Sequence, residues 1–336
     1  MTVRVAINGF GRIGRLCLRT LIEGNRDDIE IVAINDLGPI ETNAHLLKYD
    51  SAHGTLNAEI ETKEDALIIN GKSIAFTSHA DAKQQHWGEM DVDIVYECTG
   101  KFKSHEQAQI HLDAGAKKVL ISAPGQEADL TVVYGINHDQ LTKDHKIVSN
   151  ASCTTNCLAP VAHVLHDKIG IQKGFMTTVH AYTGDQHMVD SLHKDLRRAR
   201  AGAVSIIPTT TGAAKAVGLV LPELQGKLDG SCIRVPTQNV SLVDLTFDAM
   251  RDTSVEEIHQ AIKEAADGPL KGVLGYSNEP LVSIDYNHNP NSSTFDMTQT
   301  YVMEKRLVRV VAWYDNEWGF SQRMSDTAVA MAKAGF

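Results

Sequence analysis

The sequence predicts an α/β fold in which a doubly wound parallel sheet domain is followed by an α+β domain with a mainly antiparallel sheet. Three observations lead to this prediction. Short apolar strand patterns alternate with helix patterns up to residue 150, as they do in parallel sheets. A glycine-rich turn joins the first strand pattern to the first helix pattern. Beyond residue 150, strand patterns follow one another with few helices between them.

Composition limits the classes of protein that these domains can form. The 336 residues are enough for two domains, and 43% hydrophobic with 22% charged residues is ordinary for a globular protein. The net charge of −10 argues against broad binding of nucleic acid or of an anionic membrane, and no apolar run reaches the length of a membrane span. Five cysteines and the lack of a signal-peptide pattern indicate a reducing compartment. We therefore expect a cytoplasmic protein with no nucleic-acid or membrane partner.

The first strand, helix and second strand carry a dinucleotide-binding pattern. Strand Val3–Asn8 leads into Gly9, Gly11 and Gly14 of a GxGxxG turn, and the second strand ends on Asp36, 22 residues after Gly14. The first glycine permits the tight bend, the second lets a pyrophosphate approach the backbone, and the third lets the helix pack against the strand. The acid accepts hydrogen bonds from the adenosine ribose. We predict a Rossmann-type NAD-binding domain; the alternative is a glycine-rich turn that binds nothing.

The rest of the first half continues the alternation of strands and helices. Its predicted elements are a helix at Glu41–Lys48, a hairpin at Ala66–Phe76 turning at Asn70 and Gly71, strands in DIVYECTG, KKVLIS, TVVYG and KIVSN, and a helix in HEQAQIHLDAGA. Ligands of such sheets bind at the carboxyl ends of the strands. Thr99 and Ser122 fall there, so both are candidates to line the cofactor cleft. The alternative for each is a loop hydroxyl that satisfies nearby backbone groups.

The second half predicts a different architecture. Its strand patterns are Phe175–Tyr182, Cys232–Pro236, Val240–Phe247, LVSIDY and LVRVVAWYD, and its helix patterns are SVEEIHQAIKEAA and Ser321–Ala334. We predict an NAD-binding domain over residues 1–150 and a catalytic domain over residues 151–316. The helix within residues 317–336 has little left to pack on in its own domain, so we expect it to pack on the first one.

The segment Ser149–Cys157, SNASCTTNC, carries the most chemistry in the fewest residues. Cys153 is flanked by small hydroxyl residues and followed by an apolar helix pattern, so it should lie in the first turn of a helix. The backbone N–H groups and positive dipole end there favour a thiolate and predict a depressed pKa for Cys153. The alternative is a buried structural cysteine. Because Cys153 and Cys157 without a second ligand pair make a poor zinc site, we predict no metal.

His180, near the end of the strand pattern Phe175–Tyr182, is the candidate partner of Cys153. Cysteine nucleophiles are commonly paired with a histidine that serves as acid or base. A thiolate adds to an aldehyde to give a thiohemiacetal, which can lose hydride to NAD⁺ and become a thioester. Together with the dinucleotide site, the pair therefore predicts an aldehyde dehydrogenase of the covalent kind.

A long polar stretch after Tyr182 is poor in regular periodicity, and loops of that length are usually functional or part of an interface. It contains a basic cluster formed by His193, Lys194, Arg197, Arg198 and Arg200, close to Thr209–Gly212. In an acidic protein this cluster is a candidate anion site. The alternative is a solvated charged face.

Seven motifs spread over the whole chain resemble the phosphorylating glyceraldehyde-3-phosphate dehydrogenase family. They are NGFGRIGR, SNASCTTNCLAP, TTVHAYTGDQ, HKDLRRAR, PTTTGAAKAVG, RVPTQNVSLVDL and WYDNEWG. The resemblance implies reversible oxidation of glyceraldehyde 3-phosphate to 1,3-bisphosphoglycerate with NAD⁺ and inorganic phosphate. It also implies a homotetramer, because the long loop resembles one that reaches a neighbouring subunit's cofactor site.

The resemblance assigns roles in the catalytic domain. Cys153 is implied as the nucleophile and His180 as its acid and base, while the backbone around Ser152 and Thr154 is implied to bind substrate and the developing oxyanion. Two phosphate sites are implied, one formed by Thr183 and Arg234 and the other by Arg198, Thr211 and Gly212.

The resemblance also assigns roles toward NAD. Arg12 and Ile13 are implied to present backbone N–H groups to the pyrophosphate and Asp36 to hold the ribose. Ser122 is implied to lie near the cofactor, and Asn316 to orient the nicotinamide amide.

Two departures from the family pattern bear on the cofactor. Ala80 stands where an arginine often contributes a backbone contact to the adenine, and Ser191 and Leu192 replace the Leu-Pro common in NAD-preferring members. A smaller polar residue at 191 would loosen the exclusion of a 2′-phosphate, but Asp36 repels it. We favour NAD and leave use of NADP open.

Two alternative functions remain at this stage. One is the related erythrose-4-phosphate dehydrogenase, although Thr183 in HAYTGDQ favours the glyceraldehyde enzyme. The other is a nucleotide- or RNA-binding protein without turnover.

Overall fold

The structure is a computed structural model that describes residues 2–336. Within these residues the strands are β1 Val3–Asn8, β2 Ile29–Asn35, β3 Tyr49–Asp50, β4 Gly54–Thr55, β5 Ile60–Lys63, β6 Ala66–Ile69, β7 Lys72–Thr77, β8 Ile94–Glu97, β9 Lys118–Ile121, β10 Leu130–Thr131, β11 Ile147–Ser149, β12 Ile171–Ala181, β13 Ile207–Thr210, β14 Leu228–Val235, β15 Ser241–Ala249, β16 Leu274–Ser277, β17 Ser293–Met303 and β18 Leu307–Tyr314. The α-helices are α1 Arg12–Glu23, α2 Ile40–Lys48, α3 His105–Asp113, α4 Cys153–Lys168, α5 Ala213–Val220, α6 Val255–Asp267 and α7 Trp318–Lys333. Short 3₁₀ helices lie at Ala82–Gln84, Trp87–Met90, His138–Gln140, Pro222–Leu224 and Ser283–Tyr286.

The chain divides into two compact units. The first comprises residues 2–132, 138–151 and 321–336, and the second comprises residues 133–137 and 152–320. The first unit therefore includes most of α7. Among the helices within residues 2–336, none combines the length and the apolar character needed to traverse a bilayer.

The first unit contains a nine-stranded sheet with the order β10-β11-β9-β8-β1-β2-β7-β6-β5. The strands from β10 to β7 pair in parallel, and only β6 and β5 run antiparallel at one edge. Strands β8 and β9 are buried along their whole length, because helices cover both faces of such a sheet and the strands become continuous apolar runs. The predicted parallel Rossmann-type sheet is confirmed.

Local sequence signals explain where several elements begin and end. Asn70 and Gly71 both have positive φ, at 48° and 78°, which is the geometry of the tight turn predicted between β6 and β7. Helix α3 begins with a capping box, in which the Ser104 hydroxyl accepts from the Gln107 N–H and the Gln107 side chain accepts from the Ser104 N–H. Helix α1 ends at Gly24, as predicted.

The second unit contains a seven-stranded sheet with the order β13-β14-β12-β15-β18-β17-β16. Four of its six pairings are antiparallel, and β12–β14 and β16–β17 are parallel. In β15, buried positions alternate with half-buried ones, which is typical of a sheet with one face on the core. The predicted mainly antiparallel sheet is confirmed.

Two strand predictions are wrong. The segment LVSIDY forms a 3₁₀ helix at Ser283–Tyr286, because the Asp285 carboxylate accepts from the Val282 N–H at 2.8 Å and closes a turn. Its alternating apolar residues Val282 and Ile284 are exposed. The segment TVVYG pairs with the sheet only at Thr131, and residues 133–137 belong to the second unit.

The long polar stretch after Tyr182 contains two elements that its composition did not reveal. Strand β13 pairs with β14, and helix α5 follows it directly. Thr211 accepts from the Ala213 N–H at 3.1 Å and so helps to start α5. The irregular part of the stretch is therefore shorter than predicted.

Candidate active site and cofactor cavity

A cavity of about 270 Å³ opens at the carboxyl ends of the parallel strands in the first unit. The residues that line it come from the ends of β1, β2 and β8 and from the loops after β7 and β8: Asn8, Gly9, Gly11, Asn35, Asp36, Leu37, His79, Ala80, Ala82, Cys98, Thr99, Lys101 and Phe102. This is the edge of a doubly wound sheet where ligands bind. The cavity therefore lies where the sequence predicted a dinucleotide.

A side chain at each of the three glycines of the turn would have a different effect on the structure. Gly9 has a φ of 92°, and a Cβ there would lie 2.7 Å from the Thr99 nitrogen. A Cβ on Gly14 would lie 2.2 Å from the Gly9 carbonyl oxygen, so helix and strand are in direct backbone contact. A Cβ on Gly11 meets no described protein atom within 4 Å, although Gly11 lines the cavity. Packing does not require this glycine, but its missing side chain leaves the helix start open to an anion.

Asp36 and the first turn of α1 complete the fit to a dinucleotide. The Asp36 carboxylate accepts from the backbone N–H groups of Phe10 and Gly38, both at 2.8 Å, and this fixes its position at the cavity wall. Arg12 and Ile13 are the first two residues of α1, so their N–H groups lie at the positive end of the helix dipole. A wall with a fixed acid beside an open helix start suits a ribose next to a pyrophosphate.

Of the other predicted cofactor residues of this unit, two line the cavity and one does not. Ala80 and Thr99 line it. Ser122 is outside the described lining residues, and its hydroxyl donates to the Glu97 carbonyl oxygen at 2.9 Å. That hydrogen bond matches the alternative in which Ser122 satisfies nearby backbone.

In the second unit, Cys153 is the first residue of α4, as predicted. The Ser152 hydroxyl caps the helix by accepting from the Thr155 N–H at 3.0 Å. Ala151 just before it has a positive φ of 56°, which turns the chain sharply into the helix. Cys153 is half-buried, whereas Cys157 one turn later is buried and contacts the Ser293 hydroxyl.

His180 lies beside the cysteine. Its Nε2 is 3.5 Å from Cys153 Sγ, and its Nδ1 is 2.7 Å from the Ala181 carbonyl oxygen. Nδ1 also lies 3.2 Å from Arg234 Nη1, which can only donate, whereas the nearer Ala181 carbonyl oxygen can only accept. The shorter contact assigns the ring proton to Nδ1 and leaves Nε2 facing the sulfur unprotonated. The pair is therefore arranged for proton transfer from sulfur to nitrogen.

The predicted depression of the Cys153 pKa is wrong in direction. Burial raises the pKa of the Cys153 thiol to about 11, although Arg234 and the Thr154 hydrogen bonds act to lower it. Burial and, next, the positive charge of Arg234 together lower the pKa of His180 to about 3. Removing both groups from water favours their neutral forms more than the helix start favours the thiolate. At neutral pH the pair is a thiol and an imidazole.

The first predicted phosphate site surrounds Arg234. Its Nη1 donates to the Thr183 hydroxyl at 3.3 Å and to the Ala181 carbonyl at 3.2 Å. Its Nε is buried and makes no hydrogen bond within the described residues. Arg234 and Thr183 are therefore together beside His180, with donor capacity left for an anion.

The second predicted site is held by the long loop. Arg198 Nε donates to the Thr209 hydroxyl at 3.0 Å, and its Nη2 donates to the Thr210 carbonyl at 3.3 Å. Gly212 is the N-cap of α5, and Thr211 precedes it. The helix start and the guanidinium thus lie at the same end of β13.

Only part of the basic cluster is available for an anion. Arg198 Nη1 is 2.8 Å from an Asp185 oxygen, and Arg200 Nε is 2.7 Å from an Asp190 oxygen. Acidic residues of the same loop therefore compensate two of the predicted cations. Sequence proximity of positive charges did not reveal this pairing, because its partners lie 10 to 13 residues away along the chain.

Two functional contacts were missed in the sequence. The Tyr314 hydroxyl is buried between the hydroxyls of Thr154 and Thr178, at 2.8 and 2.9 Å, and its ring packs edge-on against His180. Ser241 donates to Asn316 Oδ1 at 2.8 Å and accepts from the Ala181 N–H at 3.0 Å. Tyr314 is the last residue of β18, and Ser241 is the first residue of β15. These positions at strand ends were the only indication in the sequence, because Tyr and Ser have no fixed chemical pattern there.

Comparison with known proteins gives the same result for both units. The family model described as "Glyceraldehyde 3-phosphate dehydrogenase, NAD binding domain" matches residues 3–105, and the "C-terminal domain" model of the same family matches residues 152–316. Glyceraldehyde-3-phosphate dehydrogenase of Xanthobacter flavus is 64% identical over 335 residues and covers 100% of both chains. Those of Cereibacter sphaeroides and Geobacillus stearothermophilus are 62% and 56% identical, over at least 99% of each chain.

The fold and the cavity define the class as an NAD-binding dehydrogenase with a separate α+β domain. Within that class, the chain belongs to the glyceraldehyde-3-phosphate dehydrogenase family. The resemblance, the fold class and the NAD cofactor predicted from the sequence are confirmed.

Proposed function

We propose that the protein catalyses the reversible oxidation of glyceraldehyde 3-phosphate to 1,3-bisphosphoglycerate, with NAD⁺ and inorganic phosphate as co-substrates. The observation that carries the proposal is the 3.5 Å contact between Cys153 Sγ and an unprotonated His180 Nε2 in a chain of this family. A thiol beside a base can add to an aldehyde carbon. The geometry therefore supports covalent catalysis on the cysteine.

The first step is general-base addition. As Cys153 Sγ forms a bond to the aldehyde carbon, its proton passes to His180 Nε2 and the carbonyl electron pair moves to oxygen. His180 returns that proton to the oxygen, which leaves a neutral thiohemiacetal and a free base. Because the pair starts neutral, sulfur becomes a strong nucleophile only when the substrate is in place.

The second step converts the thiohemiacetal to a thioester. His180 takes the hydroxyl proton as the C–H electron pair departs, and the carbon–oxygen double bond forms again. NAD⁺, when bound, accepts the hydride. Backbone N–H groups around Ser152 and Thr154 lie at the start of α4 and would donate to the negative charge that develops on oxygen.

The last step releases the product. An oxygen of inorganic phosphate attacks the acyl carbon, the carbon–sulfur bond breaks, and sulfur regains a proton from His180. Arg234 with Thr183 and Arg198 with Thr211 and Gly212 supply the two anion sites that the substrate and inorganic phosphate need.

The cofactor is NAD, held in the cavity of the first unit. Its ribose binds Asp36, and its pyrophosphate lies on the N–H groups of Arg12 and Ile13. The Asp36 charge opposes a 2′-phosphate, so NADP is the weaker cofactor. The Asn316 amide orients the nicotinamide, and its Nδ2 is left to donate because Ser241 occupies its oxygen.

The protein works as a homotetramer in the cytoplasm. The long loop exposes a run of large apolar side chains, among them Leu192 with 98% of its surface free, together with Met188, Leu196, Val204 and Ile206. Exposed apolar patches of this kind mark protein–protein contacts. Because the family resemblance implies a homotetramer, the partner at this surface is a second copy of the chain.

Replacing Cys153 with Ser tests the proposal. We expect NADH formation from glyceraldehyde 3-phosphate and inorganic phosphate to fall by at least about three orders of magnitude, because a neutral hydroxyl is a far weaker nucleophile. Cys157→Ser, which changes the buried neighbour, should keep most of the activity. Full activity of Cys153→Ser, or a higher kcat/KM for erythrose 4-phosphate than for glyceraldehyde 3-phosphate, would count against this function.

A further inference from the structure

A row of polar side chains crosses the carboxyl edge of the first unit's sheet directly beneath the cofactor cavity. Glu97, Asn8, Asn35 and Thr77 are the last residues of β8, β1, β2 and β7, which are neighbours in the sheet. Asn8 is in register with both Glu97 and Asn35, and Asn35 is in register with Thr77. Registered residues of parallel strands project from the same face. We call this row the polar ladder.

The hydrogen bonds of the polar ladder all run in one direction. The Thr77 hydroxyl can donate its one proton to Asn35 Oδ1 at 3.1 Å or to Gln85 Oε1 at 3.2 Å. Asn35 Nδ2 donates to Asn8 Oδ1 at 2.8 Å. Asn8 Nδ2 then donates to Glu97 Oε2 at 2.7 Å. Each amide therefore donates to the neighbour on its Glu97 side, and Glu97 is the last acceptor of the row.

Glu97 accepts from donors on every side. Its Oε1 accepts from both the N–H and the hydroxyl of Thr99, and its Oε2 accepts from Asn8 and from His111 Nε2 at 3.0 Å. His111 must donate through Nε2, because its Nδ1 accepts from the Trp87 indole N–H, which is a donor only. Four donors converge on one buried side chain, so both Glu97 oxygens are placed as acceptors.

We propose that Glu97 is a positioning residue for the cofactor: its buried carboxylate orients the amides of Asn8 and Asn35, and with them the wall of the cavity. The inference rests on the proposed use of this cavity by NAD. Asn8, Asn35, His79 and Thr99 all line the cavity, whereas Glu97 stands behind them and is not among the described lining residues. Its effect therefore passes through the ladder.

The orientation of Asn35 carries the effect to the far wall. Its Oδ1 accepts from the His79 N–H at 2.9 Å, and its Nδ2 donates to the His79 carbonyl at 3.0 Å. This double contact matches only one orientation of the amide. A reversed amide would place a donor against the His79 N–H and an acceptor against its carbonyl, and both contacts would be lost.

A glutamine at position 97 cannot satisfy the same partners. Its single NH₂ group would face either the two donors of Thr99 or the donors of Asn8 and His111. Reversal of both ladder amides relieves the conflict with Asn8 but releases His79, and the conflict with His111 stays. A neutral, nearly isosteric change should therefore loosen the cavity wall without removing a residue that touches the cofactor.

Calorimetric titration with NAD⁺ tests the proposal. The proteins compared are the wild-type chain, Glu97→Gln and Glu61→Gln, a control at an exposed residue. We expect Kd to rise at least about tenfold for Glu97→Gln, from unsatisfied buried groups, and to stay within about twofold for Glu61→Gln. Thr77→Val removes only the first donor and should weaken binding less than Glu97→Gln. If the ladder had only a general structural role, Thr77→Val and Glu97→Gln would weaken NAD⁺ binding to the same extent.

Steady-state kinetics separate positioning from general damage. For Glu97→Gln, KM for NAD⁺ should rise while KM for glyceraldehyde 3-phosphate and the rate of iodoacetamide reaction with Cys153 stay near wild type. If Glu97→Gln does not fold, Asn8→Ser interrupts the ladder with Glu97 unchanged and should weaken NAD⁺ binding in the same way.

The outcomes distinguish the two proposals. Wild-type affinity in Glu97→Gln, or in Asn8→Ser when it is the variant used, overturns the positioning role while the proposed function stands. Failure of the wild-type chain to bind NAD⁺ overturns both.

Discussion

At the scale of single residues, the chemistry depends on the pair of Cys153 and His180. Both are neutral because burial raises the pKa of the thiol and lowers the pKa of the imidazole. The 3.5 Å contact makes the histidine a base that acts during attack. We therefore expect reactivity to depend on the proximity of the two groups.

Arg234 tunes this pair, and its removal gives a pH-dependent prediction. Its positive charge favours the thiolate over the thiol and so lowers the pKa of Cys153. In Arg234→Leu the pKa of Cys153 should rise, and the pH profile of iodoacetamide alkylation should move to higher pH. The uncharged reagent does not need the phosphate site. Arg197→Leu, a change at an exposed cation of the long loop, should leave the profile in place; an unmoved profile in Arg234→Leu would contradict the electrostatic role.

Ser241 gives a second prediction at this scale. Its hydroxyl links the Ala181 N–H to Asn316 Oδ1, which leaves Asn316 Nδ2 to donate. In Ser241→Ala the Asn316 amide loses the contact that fixes its orientation, and we expect NAD⁺ affinity to fall roughly fivefold to tenfold, from the loss of about 1 kcal/mol of hydrogen bonding. Calorimetric titration measures this. Ser241→Thr keeps the hydroxyl and should recover much of the affinity, whereas equal affinities in Ala and wild type would remove Ser241 from the site.

At the scale of elements, helix starts and strand ends determine where the functional groups lie. Helix α4 begins on Cys153, helix α1 begins after Gly11, and helix α5 begins after Gly212. Each start follows a strand or a strand-like segment, so N–H groups face outward at the edge of a sheet. The repeated arrangement supports the proposed binding of several anionic groups.

The glycines before α1 and within its first turn give a paired prediction for this scale. Gly14→Ala places a Cβ 2.2 Å from the Gly9 oxygen and should lower the free energy of unfolding by about 1–3 kcal/mol. Gly11→Ala meets no described atom within 4 Å and should leave stability within about 1 kcal/mol. Its Cβ nevertheless projects at the open helix start, so NAD⁺ affinity should fall. Urea unfolding and NAD⁺ titration of both variants check this, and equal stabilities would contradict the packing argument.

At the scale of the whole molecule, the long loop exposes several large apolar side chains. Leu192, Leu196 and Met188 are each more than four-fifths exposed. A soluble monomer rarely presents such a patch. This surface is the part of the chain that best supports assembly.

Assembly can be tested by changing one of these side chains. Leu196→Asp places a charge in the exposed patch, and burial of an unpaired charge at a subunit contact should shift the sedimentation pattern from tetramer toward smaller species. Met250→Asp is a control at an exposed apolar residue outside the loop. Unchanged sedimentation of Leu196→Asp, or a wild-type monomer at micromolar concentration, would contradict the tetramer.

The sequence by itself determined the architecture and the chemical types at the site. Strand-helix alternation gave the parallel sheet, the spacing of Gly9, Gly11 and Gly14 gave the dinucleotide turn, and the hydroxyl-rich segment placed Cys153 at a helix start. These features depend on local geometry and on periodicity, which a linear pattern records. LVSIDY shows the limit of such patterns, because an Asp285 side chain closed a turn where alternation indicated a strand.

Only the tertiary structure decided how these groups act on one another. It set the direction in which the pKa of Cys153 is shifted, because the burial of the sulfur depends on all the groups packed around it. It paired Arg198 with Asp185, an acidic partner that the cluster of basic residues in the sequence did not reveal. It also aligned Glu97, Asn8 and Asn35 in one row, although they are far apart along the chain. Contacts between distant segments follow from strand order and register, which no single segment of the sequence contains.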